Sequence, residues 1–350
     1  MATPTHTRLV ALGGGRMMTV DDVGDPDGAP ILYLHGTPDS RLARHPDDGL
    51  AAKAGVRLLA VDRPGYGGTD PLPRRGSAKP GTDPLPRREA AETGGPAEPA
   101  HATPDPAYVP APGGTVPVVP LAPAMRWAEA IAADVSVALD TLDVDRCAVL
   151  AWSGGALTGL ALAAGLPRRV AALGIVAGLV PRQAYDDPEV RAAAEGRLAV
   201  VELADVLPPG ELGHAIAPML APYPCDLAEA AEHQAEQRDA AAAAELATVV
   251  GGAERMAAAL VEAVRPGLAG VAADVEAQYR PLAVDLAAIA GPVRLWYGTD
   301  DAVTPPAFGR WYARQMPRAE LTIADGATHY LAFTRWAEML AALAEGGEPR

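Results

Sequence analysis

Aromatic side chains are scarce in this sequence. Phe, Trp and Tyr make up 5% of its 350 residues. A core must therefore come mainly from Ala, Leu and Val, within a hydrophobic share of 49% that suits a globular chain. There are two cysteines, Cys147 and Cys225, far apart in the chain. They form no disulfide framework and no cluster with zinc spacing, and they suit free thiols in a reducing compartment. Positive charge is short as well: 29 Lys and Arg face 44 Asp and Glu, for a formal charge of −15. Phosphate backbones demand a basic surface, so nucleic acid is excluded as a partner. Met1–Val10 has no apolar core of a signal peptide. The apolar run Val170–Val180 falls well short of the roughly 20 residues that span a bilayer. These features predict a cytoplasmic chain with no membrane partner. Gly13-Gly14-Gly15 lacks the Lys and Ser/Thr of a phosphate loop and opens no helix. No metal site or cofactor is implied, and nothing indicates the oligomeric state.

What is present is an alternation of short apolar runs and longer helical patterns. Strands are expected at Thr7–Ala11, Met17–Val20, Ile31–Leu34, Val56–Val61, Arg146–Trp152, Val170–Ala177, Val293–Tyr297 and Leu321–Ala324. Helices are expected at Ser40–Lys53, Met125–Leu142, Gly155–Leu166, Pro306–Gln315 and Leu331–Ala344. Strands that alternate with helices imply an α/β chain with a mainly parallel sheet covered on both faces. Active sites in such sheets lie at the carboxyl ends of the strands.

Two segments break the rhythm. Pro71–Pro123 holds 14 of the 35 prolines and repeats Thr69–Arg75 as Thr82–Arg88. Without apolar periodicity it cannot offset its ordering entropy, so 71–123 is expected to be a disordered insertion. Residues 181–288 are rich in Ala, Glu and Leu at helical spacing and read as a helical cap between two strands. The core would then comprise 1–70, 124–180 and 289–350.

The strongest chemical signal is Ala151-Trp152-Ser153-Gly154-Gly155, between a buried strand and a helix. This is the context of a nucleophile elbow, a turn so tight that the neighbours of the serine must be small. Gly155 meets that need, while Ala151 stands where glycine is usual. The bland alternative is a serine that caps the helix after it. Serine needs an adjacent base, and the base an orienting acid. Both follow in order: Gly298-Thr299-Asp300-Asp301 after one strand, and Gly326-Ala327-Thr328-His329 after the last. His329 is favoured over His6 and His45 in polar segments, His101 in the insertion, and His214 and His233 in the cap. Asp301 is preferred to Asp300 by its spacing from Gly298 and Pro305, and Asp300 stays open as a turn-capping alternative. The segment Gly178-Leu179-Val180 offers no carboxylate. An acyl-transfer site also needs N–H donors for the oxyanion. Gly154 supplies one, and Thr37, in the loop His35-Gly36-Thr37-Pro38, is assigned the other. Gly36 lets that loop turn, and His35 braces it. Trp152 supports the elbow.

Together, His35–Arg41, Asp62-Arg63-Pro64-Gly65-Tyr66-Gly67-Gly68-Thr69-Asp70, Ala151–Gly155, Gly298–Pro305 and Gly326–Tyr330 resemble the α/β-hydrolase superfamily. The similarity extends over nearly the whole chain outside 71–123. It is nearest to bacterial hydrolases with a His-Gly-Thr-Pro loop and a Trp-Ser-Gly-Gly elbow. The resemblance implies about eight mostly parallel strands, a helical cap and hydrolysis through an acyl-enzyme. Ser153 stands where dehalogenases and epoxide hydrolases carry Asp, which speaks against those activities.

The expected activity is cofactor-free hydrolysis of an ester-like acyl bond in a small hydrophobic substrate. An amide, a peptide with N-terminal proline, a lactone or a carbon–carbon bond would suit the same triad. A reading of another class is a non-catalytic receptor or scaffold on the same fold, with the Pro-rich insertion as its contact element.

Overall fold

The computed structural model describes residues 6–72 and 124–346. From residue 73 on, the insertion expected over 71–123, with its His101, lies outside the described residues.

In chain order the elements are β1 (His6–Ala11), β2 (Met17–Gly24), β3 (Ala29–Leu34), α1 (Gly49–Lys53), β4 (Val56–Val61), α2 (Ala124–Thr141), β5 (Cys147–Trp152), α3 (Gly155–Gly165) and β6 (Val170–Val176). Then come seven helices and no strand: α4 (Pro188–Ala193), α5 (Leu198–Val206), α6 (Glu211–Leu220), α7 (Leu227–Gln237), α8 (Ala240–Ala247), α9 (Gly252–Val264) and α10 (Ala269–Tyr279). The chain closes with β7 (Val293–Gly298), α11 (Pro306–Gln315), β8 (Ala319–Ala324), α12 (Leu331–Thr334) and α13 (Trp336–Gly346).

The strands form one eight-stranded sheet in the order β1-β2-β4-β3-β5-β6-β7-β8. The two pairings of β2, with β1 and with β4, are antiparallel, and the other five are parallel. The fold is therefore the mostly parallel α/β sheet expected from the alternation. Side chains alternate across it with period two. Leu32 and Leu34 of β3 pack with α2 and α3, whereas Ile31 and Tyr33 face α1 and α13. Both layers are built largely of Ala, Leu and Val. Each fully buried aliphatic side chain stabilises the fold by roughly 1.5–3 kcal/mol.

Two helices differ from expectation. Ser40–Lys53 is helical only from Gly49. Before it, the Arg41 N–H donates to Asp62 Oδ1 at 2.7 Å, and Arg44 Nη1 donates to the Arg41 carbonyl at 2.7 Å. The Arg41 carbonyl, which a helix would pair with the His45 N–H, is thus claimed by a side chain, and Pro46 biases His45 away from helical geometry. Leu331–Ala344 is two helices broken at Arg335. The break turns Trp336 edge-on to Tyr33, with ring centroids 5.1 Å apart.

Among the described residues, no single helix is long and apolar enough to cross a membrane. The pair α9 and α10 passes that test only jointly, bent by 96° at the junction.

Candidate active site

The carboxyl ends of β3, β5, β7 and β8 converge. Between β5 and α3, Ser153 has φ +52°, a left-handed conformation rare for a residue with a side chain. It is held there from both sides: the Ser153 N–H donates to the Val176 carbonyl at 2.9 Å, and the Leu179 N–H to the Ser153 carbonyl at 3.1 Å. The helix can start at once because Gly155 lacks a Cβ. One placed there would lie 2.6 Å from the Leu34 carbonyl oxygen and 2.7 Å from that of His35. Ala151, which stands where glycine is usual in the elbow, packs against Gly159 of α3. A Cβ on Gly159 of α3 would stand 3.0 Å from the Ala151 methyl. The space taken on the strand is thus yielded by the helix.

His329 follows β8, and its backbone carbonyl accepts from Trp152 Nε1 at 3.2 Å. Its Nε2 lies 3.0 Å from Ser153 Oγ and its Nδ1 2.9 Å from Asp301 Oδ2. With a carboxylate as partner, Nδ1 carries the ring proton, and Nε2 is left to accept from the serine hydroxyl. Asp301 has further donors: the N–H groups of Val303 and Thr304, each at 2.8 Å to Oδ1, and Thr304 Oγ1 at 2.6 Å to Oδ2. Burial works against ionisation of Asp301. His329 and the Thr304 donors outweigh it and hold the carboxyl below its usual range. Asp300 is exposed and accepts from the Thr299 hydroxyl at 2.9 Å. Of the two adjacent acids, then, Asp301 meets the histidine.

The loop after β3 runs beside the elbow. A Cβ on Gly154 would lie 3.4 Å from the Thr37 backbone nitrogen, and one on Gly36 3.2 Å from Ser153 Cβ. The first N–H groups of α3 have no partner within the helix. The candidate donors Gly154 and Thr37 are therefore neighbours at the serine. His35 is fully buried; its Nε2 accepts from the Arg63 N–H at 3.0 Å. Burial, and then the Arg63 charge, push its pKa well down, so the ring is neutral and braces the loop. Of the other histidines, His6 lies in β1, and His233 in α7 has its Nε2 3.3 Å from the Leu220 carbonyl oxygen.

Several residues at this site carried no assigned role. Thr304 lies inside the Gly298–Pro305 segment, where a hydroxyl three residues after Asp301 is a readable signal. Arg63 lies in the Asp62–Asp70 segment. Glu245 of α8 accepts from the Thr328 N–H and hydroxyl, both at 2.6 Å, and so anchors the histidine loop. It sits in an alanine-rich helix with nothing to mark it. Asp39 is 6% exposed, and its Oδ1 has no hydrogen-bond partner among the described residues. A Cβ on Gly36 would stand 3.0 Å from Asp39 Oδ2, on the side of the loop that meets Ser153. Among the described residues, no group of three or more His, Cys, Asp or Glu could hold a metal ion.

No curated protein matches the chain. Solved structures match over nearly its full length. A hydrolase from Pseudomonas aeruginosa is 20% identical over 98% of this chain and 99% of that one, with a TM-score of 0.58. A thermophilic esterase from Thermogutta terrifontis is 18% identical over 98% and 100%, with a TM-score of 0.55. An alpha/beta hydrolase fold protein from Nakamurella multipartita is 24% identical over 96% and 99%, with a TM-score of 0.54. The sequence model of the family described as alpha/beta hydrolase fold matches residues 29–204, just over half of the 350 residues. The chain belongs to the alpha/beta hydrolase fold family.

Proposed function

We propose that the chain is a serine hydrolase that cleaves an ester-like acyl bond of a small hydrophobic substrate through an acyl-enzyme. One observation carries this reading: the unbroken hydrogen-bond chain from Ser153 Oγ through His329 to Asp301, at 3.0 and 2.9 Å. A serine that served only to cap α3 would need neither the histidine nor the buried acid. The esterase among the structural neighbours supports the choice of an acyl bond.

In the first half-reaction Ser153 Oγ attacks the carbonyl carbon while His329 Nε2 takes the hydroxyl proton. Asp301 steadies the imidazolium. The carbonyl oxygen gains the charge, and the N–H groups of Gly154 and Thr37 receive it. Each such donor typically lowers the barrier by roughly 3 kcal/mol. The intermediate collapses, and the leaving alcohol takes the proton from His329. In the second half-reaction water attacks the acyl carbon as its proton passes to His329. The acid departs, and that proton returns to Ser153. The residues need no cofactor for these steps. The free thiols Cys147 and Cys225 suit a cytoplasmic enzyme.

The test is labelling with a fluorophosphonate, beside Ser153→Ala and His329→Ala. The wild type should label, and both variants should not. A folded wild type that stays unlabelled would sink the reading.

A further inference from the structure

A second polar cluster lies beside the elbow, built around Asp274 in the middle of α10. Its carboxylate grips Arg63 in a bidentate pair, Oδ1 to Nη1 at 2.5 Å and Oδ2 to Nη2 at 2.6 Å. Oδ2 also accepts from the Tyr66 hydroxyl at 2.5 Å and from the Thr37 hydroxyl. The other Arg63 donors go to three consecutive residues of the loop after β3. Nε donates to the His35 carbonyl at 3.0 Å, and Nη2 to the Gly36 carbonyl at 2.7 Å and to Thr37 Oγ1 at 3.0 Å. The Arg63 and Asp274 side chains are 2% and 11% exposed. The backbones are equally close: a Cβ on Gly65 would lie 2.8 Å from the Gly270 nitrogen of α10.

The geometry of the peptide unit gives this cluster a consequence. The Gly36 carbonyl and the Thr37 N–H belong to one rigid plane and point in opposite directions. Fixing the carbonyl on Arg63 therefore fixes the direction of the N–H. The Thr37 hydroxyl adds a second anchor, since it donates to Asp274 and accepts from Arg63. Arg63 itself is oriented by the fork it makes with Asp274. The positive charge of Arg63 is matched at once by that carboxylate, so what the cluster supplies to the loop is position.

We infer that Asp274 is a positioning residue. Through Arg63 and the Thr37 hydroxyl it aims the Thr37 N–H at the developing oxyanion, which makes α10 part of the acyl-transfer geometry. The inference rests on the acyl-transfer reading. A donor displaced by about 1 Å loses much of its effect, and such misplacement costs on the order of a hundredfold in rate.

The test compares wild type, Asp274→Asn and Thr37→Val on a short-chain p-nitrophenyl ester, with an alkylboronic acid as a mimic of the tetrahedral intermediate. Asp274→Asn should lower kcat by about ten- to a hundredfold with little change in KM, and weaken boronate binding in parallel. Thr37→Val cuts the hydroxyl link while leaving the Arg63–Asp274 pair intact. It should act in the same direction with a smaller effect, and the double variant should lose less than the product of the two. A role in stability alone would lower the melting temperature and leave kcat and boronate affinity of the folded protein unchanged. That result in both variants overturns the inference. If Asp274→Asn does not fold, Thr37→Val decides by itself. A wild type that neither labels with fluorophosphonate nor binds boronate defeats the acyl-transfer reading instead, an outcome distinct from a labelled wild type with indifferent variants.

Discussion

Asp301 and Asp39 are both buried acids beside Ser153, and the protein keeps them in opposite states. Asp301 follows β7 and collects two backbone donors, a hydroxyl and a histidine. Its carboxyl is held below the usual range. Asp39 follows β3, and its Oδ1 has no hydrogen-bond partner among the described residues. Burial raises its pKa from 3.8 to about 8, with Arg63 and Arg238 only partly opposing it. Burial is thus shared and does not decide the charge. The donors do: a carboxylate surrounded by N–H and O–H groups ionises, and one without them keeps its proton. On the proposed reading Asp301, the ionised acid, orients the base, while Asp39 stays a neutral group beside the elbow.

Exchanging Asn for each acid tests this contrast most strongly. Asp301→Asn should lower kcat by about 10⁴-fold, because the amide favours the wrong histidine tautomer. Asp39→Asn should leave turnover at pH 7 close to wild type, since the amide resembles a protonated acid. Steady-state kinetics on one ester, with circular dichroism to check folding, reads both. Equal losses would break the distinction.

Thr304→Val isolates one donor. It removes the hydroxyl held 2.6 Å from Asp301 Oδ2 and keeps the shape of the side chain. Hydrogen bonds to charged groups are worth about 1.5–3 kcal/mol, so a loss of at least tenfold in kcat/KM is expected. Asp300→Asn, on the exposed neighbour, should change neither kcat nor KM.

The state of Asp39 is visible in stability against pH. The unfolded chain releases this proton near 3.8 and the folded chain near 8. Between those values the folded protein alone holds it. The contribution is therefore largest at acid pH and falls as pH rises towards 8. For Asp301 the sign is reversed: its contribution is lost as pH falls through its lowered pKa. Denaturant melts of Asp39→Asn from pH 4 to 9 should show a flatter decline than wild type. An unchanged slope would mean that Asp39 ionises normally.

A separate prediction, on stability alone, concerns the elbow itself. Gly159→Ala should destabilise by about 1–3 kcal/mol, because the new methyl meets that of Ala151. Ala151→Gly in the same chain should recover part of the loss. Simple additivity of the two would show that the strand and helix positions are not matched.

Much of this was readable in the sequence for a physical reason. Strands buried on both faces are short apolar runs, and the residues that follow them are constrained to be small, turning or polar. That is why Ser153, Asp301 and His329 stood out at strand ends, and their side chains meet in the fold. Ser40–Lys53 misled because its helical spacing is overridden by Arg41 and Arg44, which reach Asp21 and Asp62 in other segments. Asp274 and Glu245 were invisible for a related reason. Each sits in an alanine-rich helix, and its partners are set by packing between segments more than 80 residues apart. The fork between Asp300 and Asp301 needed coordinates, since both follow the same strand end and only their positions show that Asp301, not Asp300, meets His329.

The most direct test of the central claim is to quench the enzyme during turnover of a p-nitrophenyl ester and map the modified peptide by mass spectrometry. The acyl group is expected on Ser153 in the wild type and in neither Ser153→Ala nor His329→Ala, since both lack the activated hydroxyl. Turnover with Ser153 unmodified at every time point, or undiminished in Ser153→Ala, would contradict the account.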